Sequence, residues 1–193
     1  MRSWVTGDSL FAGYVLVKPV ADLQLVCDFV NSVDLEERRD ELSDGRGLAG
    51  WLTTHGLSGG HARASAADAA EARALREALR ELMRANNGLS CDRAAAVEAL
   101  DAAGRRAQLT ARFDSGAIRL VPSERGVRGA LGVVLGAAAE AMANGSWQHA
   151  KACRSDTCRW AFVDRSRNHS RQWCSMSVCG NREKVRTFRE RHA

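Results

Sequence analysis

The stretch KACRSDTCRWAFVDRSRNHSRQWCSMSVCGNREK, Lys151–Lys184, decides how the C-terminal part of the chain folds. It holds four of the six cysteines, Cys153, Cys158, Cys174 and Cys179, in two pairs with four residues inside each pair and fifteen between the pairs. Thiolates at such short spacing, carried on two knuckle-like turns, can close a tetrahedral zinc site. Four cysteines leave no open position for water or substrate, so the expected Zn2+ is structural. Two disulfides or unligated thiols would use the same residues. No export signal is legible, however, because the start MRSWVTGDSLFAGYVLV is broken by Gly7 and Asp8. Zinc is therefore the expected state of a cytoplasmic protein. It would also explain how about 40 residues poor in aliphatics can fold, since zinc ligation contributes on the order of 10 kcal/mol. Cys27 and Cys91 fall on helical patterns and read as small buried hydrophobes.

Charge is placed unevenly. From Lys151 onward there are eleven Lys/Arg against four Asp/Glu, while the first 150 residues hold seventeen against nineteen. The net +5 thus belongs to the tail, as expected where one module meets a polyanion. A hydrophobic fraction of 45% is ordinary for a soluble chain, and no apolar run reads as a membrane span of about 18 residues.

Upstream, YVLV before Pro19 reads as a short strand. LQLVCDFVNSV predicts a helix over 23–33, and DLEERRDELSDGRG a loop with some helical character. GLAGWLTTHG puts Leu48, Trp51 and Leu52 on one face, with Gly56 as C-cap. In SAADAAEARALREALRELMRANNG, Ser65 caps a helix whose stripe is Leu75, Leu79, Leu82 and Met83. A further helix is expected from a Ser90 cap to Ala103. LTARFDSGAIRLV then alternates as a β-hairpin, and GALGVVLGAAAEAMANG returns to a small-residue, buried helix. The fold class is α+β: a mostly helical N-terminal domain with a β-hairpin over 1–145, then a small treble-clef-like four-cysteine zinc finger over 146–193.

The finger pattern KAC….C.WAF.D.SRN.SR.WCSM..CGNR.KVR.FR resembles the CGNR zinc finger, named for the residues here numbered Cys179, Gly180, Asn181 and Arg182. In that family the finger follows an α-rich ABATE domain, and DFVNS, Asp28–Ser32, is similar to the signature at that domain's start. The resemblance implies a stress-linked transcription regulator whose finger binds double-stranded DNA. A sensing or pairing N-terminal domain would follow, with a small-molecule effector or a homodimer as its partner.

The residues expected to meet phosphate are Arg165, Arg167 and Arg171 in the loop DRSRNHSRQW, and Arg182, Arg186 and Arg189 along one flank of a C-terminal helix. On that helix Val178, Val185 and Phe188 are the expected inward stripe, Asn181 falls within it and Arg182 at its edge. Arg182 thus reads equally as a brace of the zinc module and as a DNA contact, and Asn181 reads as a brace ahead of a contact. Trp160 and Trp173, beside the ligand turns, read as core, whereas exposed tryptophans would point to single-stranded nucleic acid. Asp28 and Asn31, one turn apart, could line a ligand pocket, or could cap and satisfy local backbone. His55, His61, His149, His169 and His192 are scattered without a motif partner, and neither a phosphate loop nor G-x-S-x-G is present, so the chain does not read as an enzyme. A protein- or RNA-binding finger is the alternative function.

Overall fold

A computed structural model describes residues 23–58, 63–114 and 117–192. The strand expected in YVLV, and His61, lie outside these residues. The N-terminal part is built on α3 (Ala66–Asn86), 21 residues opened by a capping box. There Ser65 Oγ accepts from Asp68 N, and the Asp68 carboxylate accepts from Ser65 N and Oγ. The expected stripe is buried: Leu75, Leu79, Leu82 and Met83 are 7% exposed or less. Against α3 pack α1 (Leu23–Val30), α2 (Gly45–Thr54), α4 (Arg93–Ala107) and α5 (Gly126–Ala143).

Three local expectations are corrected. The charged stretch after α1 is a minimal hairpin, β1 (Val33–Asp34) with β2 (Arg39–Asp40), because Asp34 Oδ1 accepts from Glu36 N and Glu37 N and Arg38 turns at φ 54°. α4 is capped by Asp92, whose Oδ1 accepts from Ala95 N, instead of by Ser90. It also runs through Gly104 to Ala107, where Gln108 closes it in the left-handed region at φ 48°.

The hairpin forms as expected, with β3 (Leu109–Asp114) antiparallel to β4 (Ala117–Pro122) and Phe113 opposite Ile118. It lies on α5, and the glycines of that helix permit the close approach. A Cβ at Gly136 would overlap the Leu120 carbonyl, and one at Gly132 would meet Ala107 Cβ at 2.7 Å and Pro122 Cβ at 2.8 Å. By length and mean hydropathy (1.3) α5 could cross a membrane, contrary to the expectation that no segment could. In this fold it is the central helix, with eleven residues buried against its neighbours.

The C-terminal part starts with a 3-10 turn, Ser146–His149, and a short antiparallel ribbon, β5 (Ala150–Ala152) with β6 (Ala161–Val163). A π-helical turn, Met176–Gly180, leads into α6 (Asn181–His192). The ribbon does not stand apart: Trp147, Ala150, Ala152 and Ala161 belong to the same core as α1, α3 and α5.

Gly136→Ala should therefore destabilise the protein. The gain in helix propensity is at most about 1 kcal/mol, whereas forcing a methyl into packed backbone costs about 1–3 kcal/mol. Urea unfolding checks this, with a lower midpoint at unchanged slope as the expected result.

Candidate metal centre and basic surface

The ribbon sets the ligands. Cys153 follows β5 directly and is buried, and its amide donates to Trp160 O at 2.9 Å, which closes the first knuckle around Cys158. Cys179 sits in the π-helical turn just before α6, and Cys174 precedes that turn. All four Sγ atoms lie within 4.8 Å of one another, with Cys158–Cys174 at 3.5 Å and Cys174–Cys179 at 3.6 Å. A disulfide needs about 2.05 Å between sulfurs. A tetrahedral site with Zn–S of about 2.3 Å spaces its sulfurs at about 3.8 Å. The residues fit one zinc ion and no disulfide. In the absence of a cation the thiols compete for ionisation. Cys153 accepts a hydrogen bond from the Cys158 thiol and is held down at about 5, and that same bond pushes Cys158 up. Burial pushes Cys174 up to about 12 and raises Cys179 too. A divalent ion turns all four into thiolates, so metal binding releases protons and weakens as pH falls.

Beside the metal centre lies a polar cluster that the sequence reading missed. Lys151 and Asp164 are both buried, and Lys151 Nζ donates to Asp164 Oδ2 at 2.7 Å and to the carbonyls of His169 (2.6 Å) and Arg171 (3.3 Å). Asp164 Oδ1 accepts from Ser166 N and Oγ, and Oδ2 accepts from Arg171 N. Burial alone would raise the Asp164 carboxyl; the Lys151 ammonium and the Ser166 bonds outweigh it and hold the group well below the usual carboxylate range. The His149 and His169 rings meet at 3.9 Å, tilted by 31°, and tie the same loop to the 3-10 turn. The segment 164–171 is thus pinned from within, and Arg165 and Arg167 stand exposed at its apex. Lys and Asp thirteen residues apart gave no periodic signal. Only the positions of Lys151 on a strand and Asp164 just after one could have hinted at pairing.

The six arginines divide. Among the described residues Arg165, Arg167 and Arg189 are exposed and form no ion pair. Arg171 donates to the carbonyls of Trp173 (2.8 Å) and Cys174 and lies 4.6 Å over the Phe162 ring. It braces the segment that carries Cys174 while remaining exposed. Arg182 forms a two-pronged pair with Glu36, at 3.1 Å through Nη2, which ties the start of α6 to the β1–β2 turn and lowers the Glu36 carboxyl. Arg186 is shared by Glu183 and Glu190 of its own helix. Asn181 Nδ2 donates to Ser177 O at 3.2 Å, a local brace.

Two apolar expectations are overturned. Val178, Val185 and Phe188 are 45%, 49% and 62% exposed, because among the described residues no element packs against that side of α6, which has no buried residue. Trp160 is 38% exposed and Trp173 half-buried, and the tryptophan of the C-terminal part that joins the core is Trp147.

The Asn31 amide serves distant backbone instead of its own turn. Its Nδ2 donates to Ala161 O at 2.9 Å and its Oδ1 accepts from Ala161 N at 2.7 Å. Asp28, one turn earlier, accepts from Gln24 Nε2 at 2.8 Å. The rest of DFVNS is structural as well. Phe29 packs edge-on to Trp51 at 5.3 Å, Val30 O accepts from Arg80, and Ser32 Oγ donates to Phe29 O and accepts from Arg76.

A helical domain whose core extends into a ribbon holding a four-cysteine zinc site defines a zinc-finger protein. Residues 149–192 match the family model described as CGNR zinc finger. Residues 23–145, well over half of the chain, match the one described as "ABATE: Putative stress-induced transcription regulator", and the chain belongs to that family. No curated protein matches it.

Two outcomes test this site. Zinc analysis should give one ion per chain, and its removal by a chelator should raise hydrogen exchange across 171–190 while α1, α3 and α5 stay protected. Lys151→Met leaves Asp164 buried without its counter-charge, an effect of about 3–5 kcal/mol. Urea unfolding and exchange within 164–171 should both report it.

Proposed function

We propose that the protein is a cytoplasmic DNA-binding transcription regulator in which zinc and the Lys151–Asp164 pair hold a basic surface for the duplex. One observation carries the reading: Arg165, Arg167 and Arg189 project unpaired from a finger clamped to the N-terminal domain. Ser166 and Asp164 fix the backbone between the two loop arginines, so phosphate contact costs little further ordering. Lys184 and Arg191, both exposed, extend the basic surface along α6. No catalytic role is assigned to any residue in this reading. The exposed Val178, Val185 and Phe188 favour a second one, a finger that docks on a partner protein.

Fluorescence anisotropy with the zinc-loaded chain and a genomic duplex, read at several salt concentrations, separates the two. DNA binding should weaken steeply with salt, and Arg165→Ala with Arg167→Ala should reduce the slope of log K against log salt by about 1.8. Arg171→Ala should instead loosen zinc. Glu36→Gln releases Arg182, and duplex binding should tighten by roughly two- to fivefold. Absence of any duplex binding at low salt would sink the DNA reading.

A further inference from the structure

A cavity of 830 Å³ lies between α4, the β3–β4 hairpin and α5. Its floor and walls are apolar and include Leu82, Leu100, Leu109, Leu120, Leu135 and Trp147. One face of α4 forms the front wall: Arg93, Val97, Leu100, Asp101, Gly104 and Arg105 follow helical spacing. This 15-residue helix buries only Ala96 and Ala107, and leaves Val97 44% exposed. The core takes up Ala96 fully and Ala99, Leu100 and Ala103 only in part, so the Val97 side of α4 borders open space. The volume falls in the usual range for small-ligand pockets, about 300–1,000 Å³.

We propose that this cavity binds a small amphipathic carboxylate, with its apolar body against the leucines and Trp147 and its anionic head at the mouth, on Arg93 or on Arg105. Among the described residues neither arginine forms an ion pair. With Asp101 between them the mouth carries a net charge of +1, which complements a monoanion better than a dianion or a cation. Arg93 and Arg105 lie twelve residues apart on one helix, so the head can engage either while the chain of the ligand runs inward.

The cavity also reaches the attachment of the finger. Asn86 and Trp147 both line it, and Asn86 Nδ2 donates to Trp147 O at 2.8 Å and to Ala150 O at 2.9 Å. A ligand against Trp147 touches the residue that begins the ribbon's anchorage, so occupancy changes the protection of 147–152. This binding does not depend on whether the finger engages DNA.

Dodecanoate serves as probe for the zinc-loaded full chain, with titration calorimetry as readout and dodecanol as the neutral control. Saturable binding of one dodecanoate per chain is expected. Arg93→Gln with Arg105→Gln should weaken dodecanoate by about tenfold and leave dodecanol unchanged. Gly104 provides the blocking position. A Cβ there meets only Leu135 Cδ2 at 3.7 Å and Leu109 Cδ1 at 3.8 Å, both ordinary contacts, so Gly104→Met fills the space without touching backbone. Gly104→Met should abolish binding, Gly104→Ala should retain it, and both should keep the wild-type circular dichroism spectrum. Hydrogen exchange at 147–152 should fall on dodecanoate binding. No saturable binding, or binding that Gly104→Met leaves intact, overturns the site. A concentration-dependent dimer that Gly104→Met disrupts overturns it in favour of a second copy of the chain. Binding without a change at 147–152 overturns the link to the finger.

Discussion

A two-stranded ribbon leaves half of its backbone donors and acceptors without a strand partner, and inside a core each such group must find another. The ribbon β5–β6 of this protein meets that constraint with three asparagines from elsewhere in the chain. Asn31 supplies both halves of a strand-like bond to Ala161, Asn86 donates to Trp147 O and Ala150 O, and Asn87 donates to Ala152 O and Gln172 O. Each amide takes the place of a neighbouring strand. The alternation of the ribbon then has two consequences. Ala150, Ala152 and Ala161 are small enough to let α1 and α3 reach the backbone, while Lys151 and Phe162, opposite each other, face the loop 164–171 and its arginine. The metal site is an extension of this docked ribbon.

α3 distributes the remaining polar work. Arg76 pairs with both Asp40 oxygens, at 2.6 and 2.9 Å, and Arg80 reaches Val30 O, so the end of α1 and the β2 strand are held to one helix. Arg84, one turn further, lies 3.5 Å from Asp156 in the first zinc knuckle. Burying guanidinium groups is costly. Desolvation alone would lower both pKa values; Asp40 and Glu77 reverse this for Arg76, whereas Arg80 stays lowered because Glu77 compensates less. Such pairs add little net stability over apolar replacements, but breaking one strands a charge. Their effect is to fix which carbonyl and which carboxylate each helix meets.

Much of the architecture was legible because it rests on repetition. The α3 stripe, the hairpin alternation and the two C-x4-C pairs are periodic or spaced signals, and the four thiols do converge. The failures share a cause. Arg76 and Arg80, at i, i+4 on α3, lie outside its apolar stripe yet are buried, and beside the local Glu77 their partners are Asp40 and Val30 O, far away in sequence. Asn31, Lys151 and Asp164 likewise act on partners that their local sequence does not encode. For α6 the periodicity of Val178, Val185 and Phe188 described a face correctly, but a moment along a helix says nothing about whether another element covers it. Trp160 shows the same limit at the scale of one residue.

This difference matters for how the basic surface works. The loop 164–171 has its backbone tied to Asp164 and Lys151, which are themselves rooted in the ribbon, so Arg165 and Arg167 start from a fixed frame. α6 buries none of its residues and is oriented by Cys179 in the preceding turn, by Asn181 on Ser177, and by Arg182 on Glu36. The Arg182–Glu36 pair is exposed, and pairs of that kind are weakened by solvent screening and add little stability. A partner that approaches both elements therefore meets a rigid loop and an adjustable helix. In the DNA-binding reading the loop sets the register on the backbone, and α6 turns to match the groove, with Glu36 as the carboxylate that a phosphate must displace from Arg182.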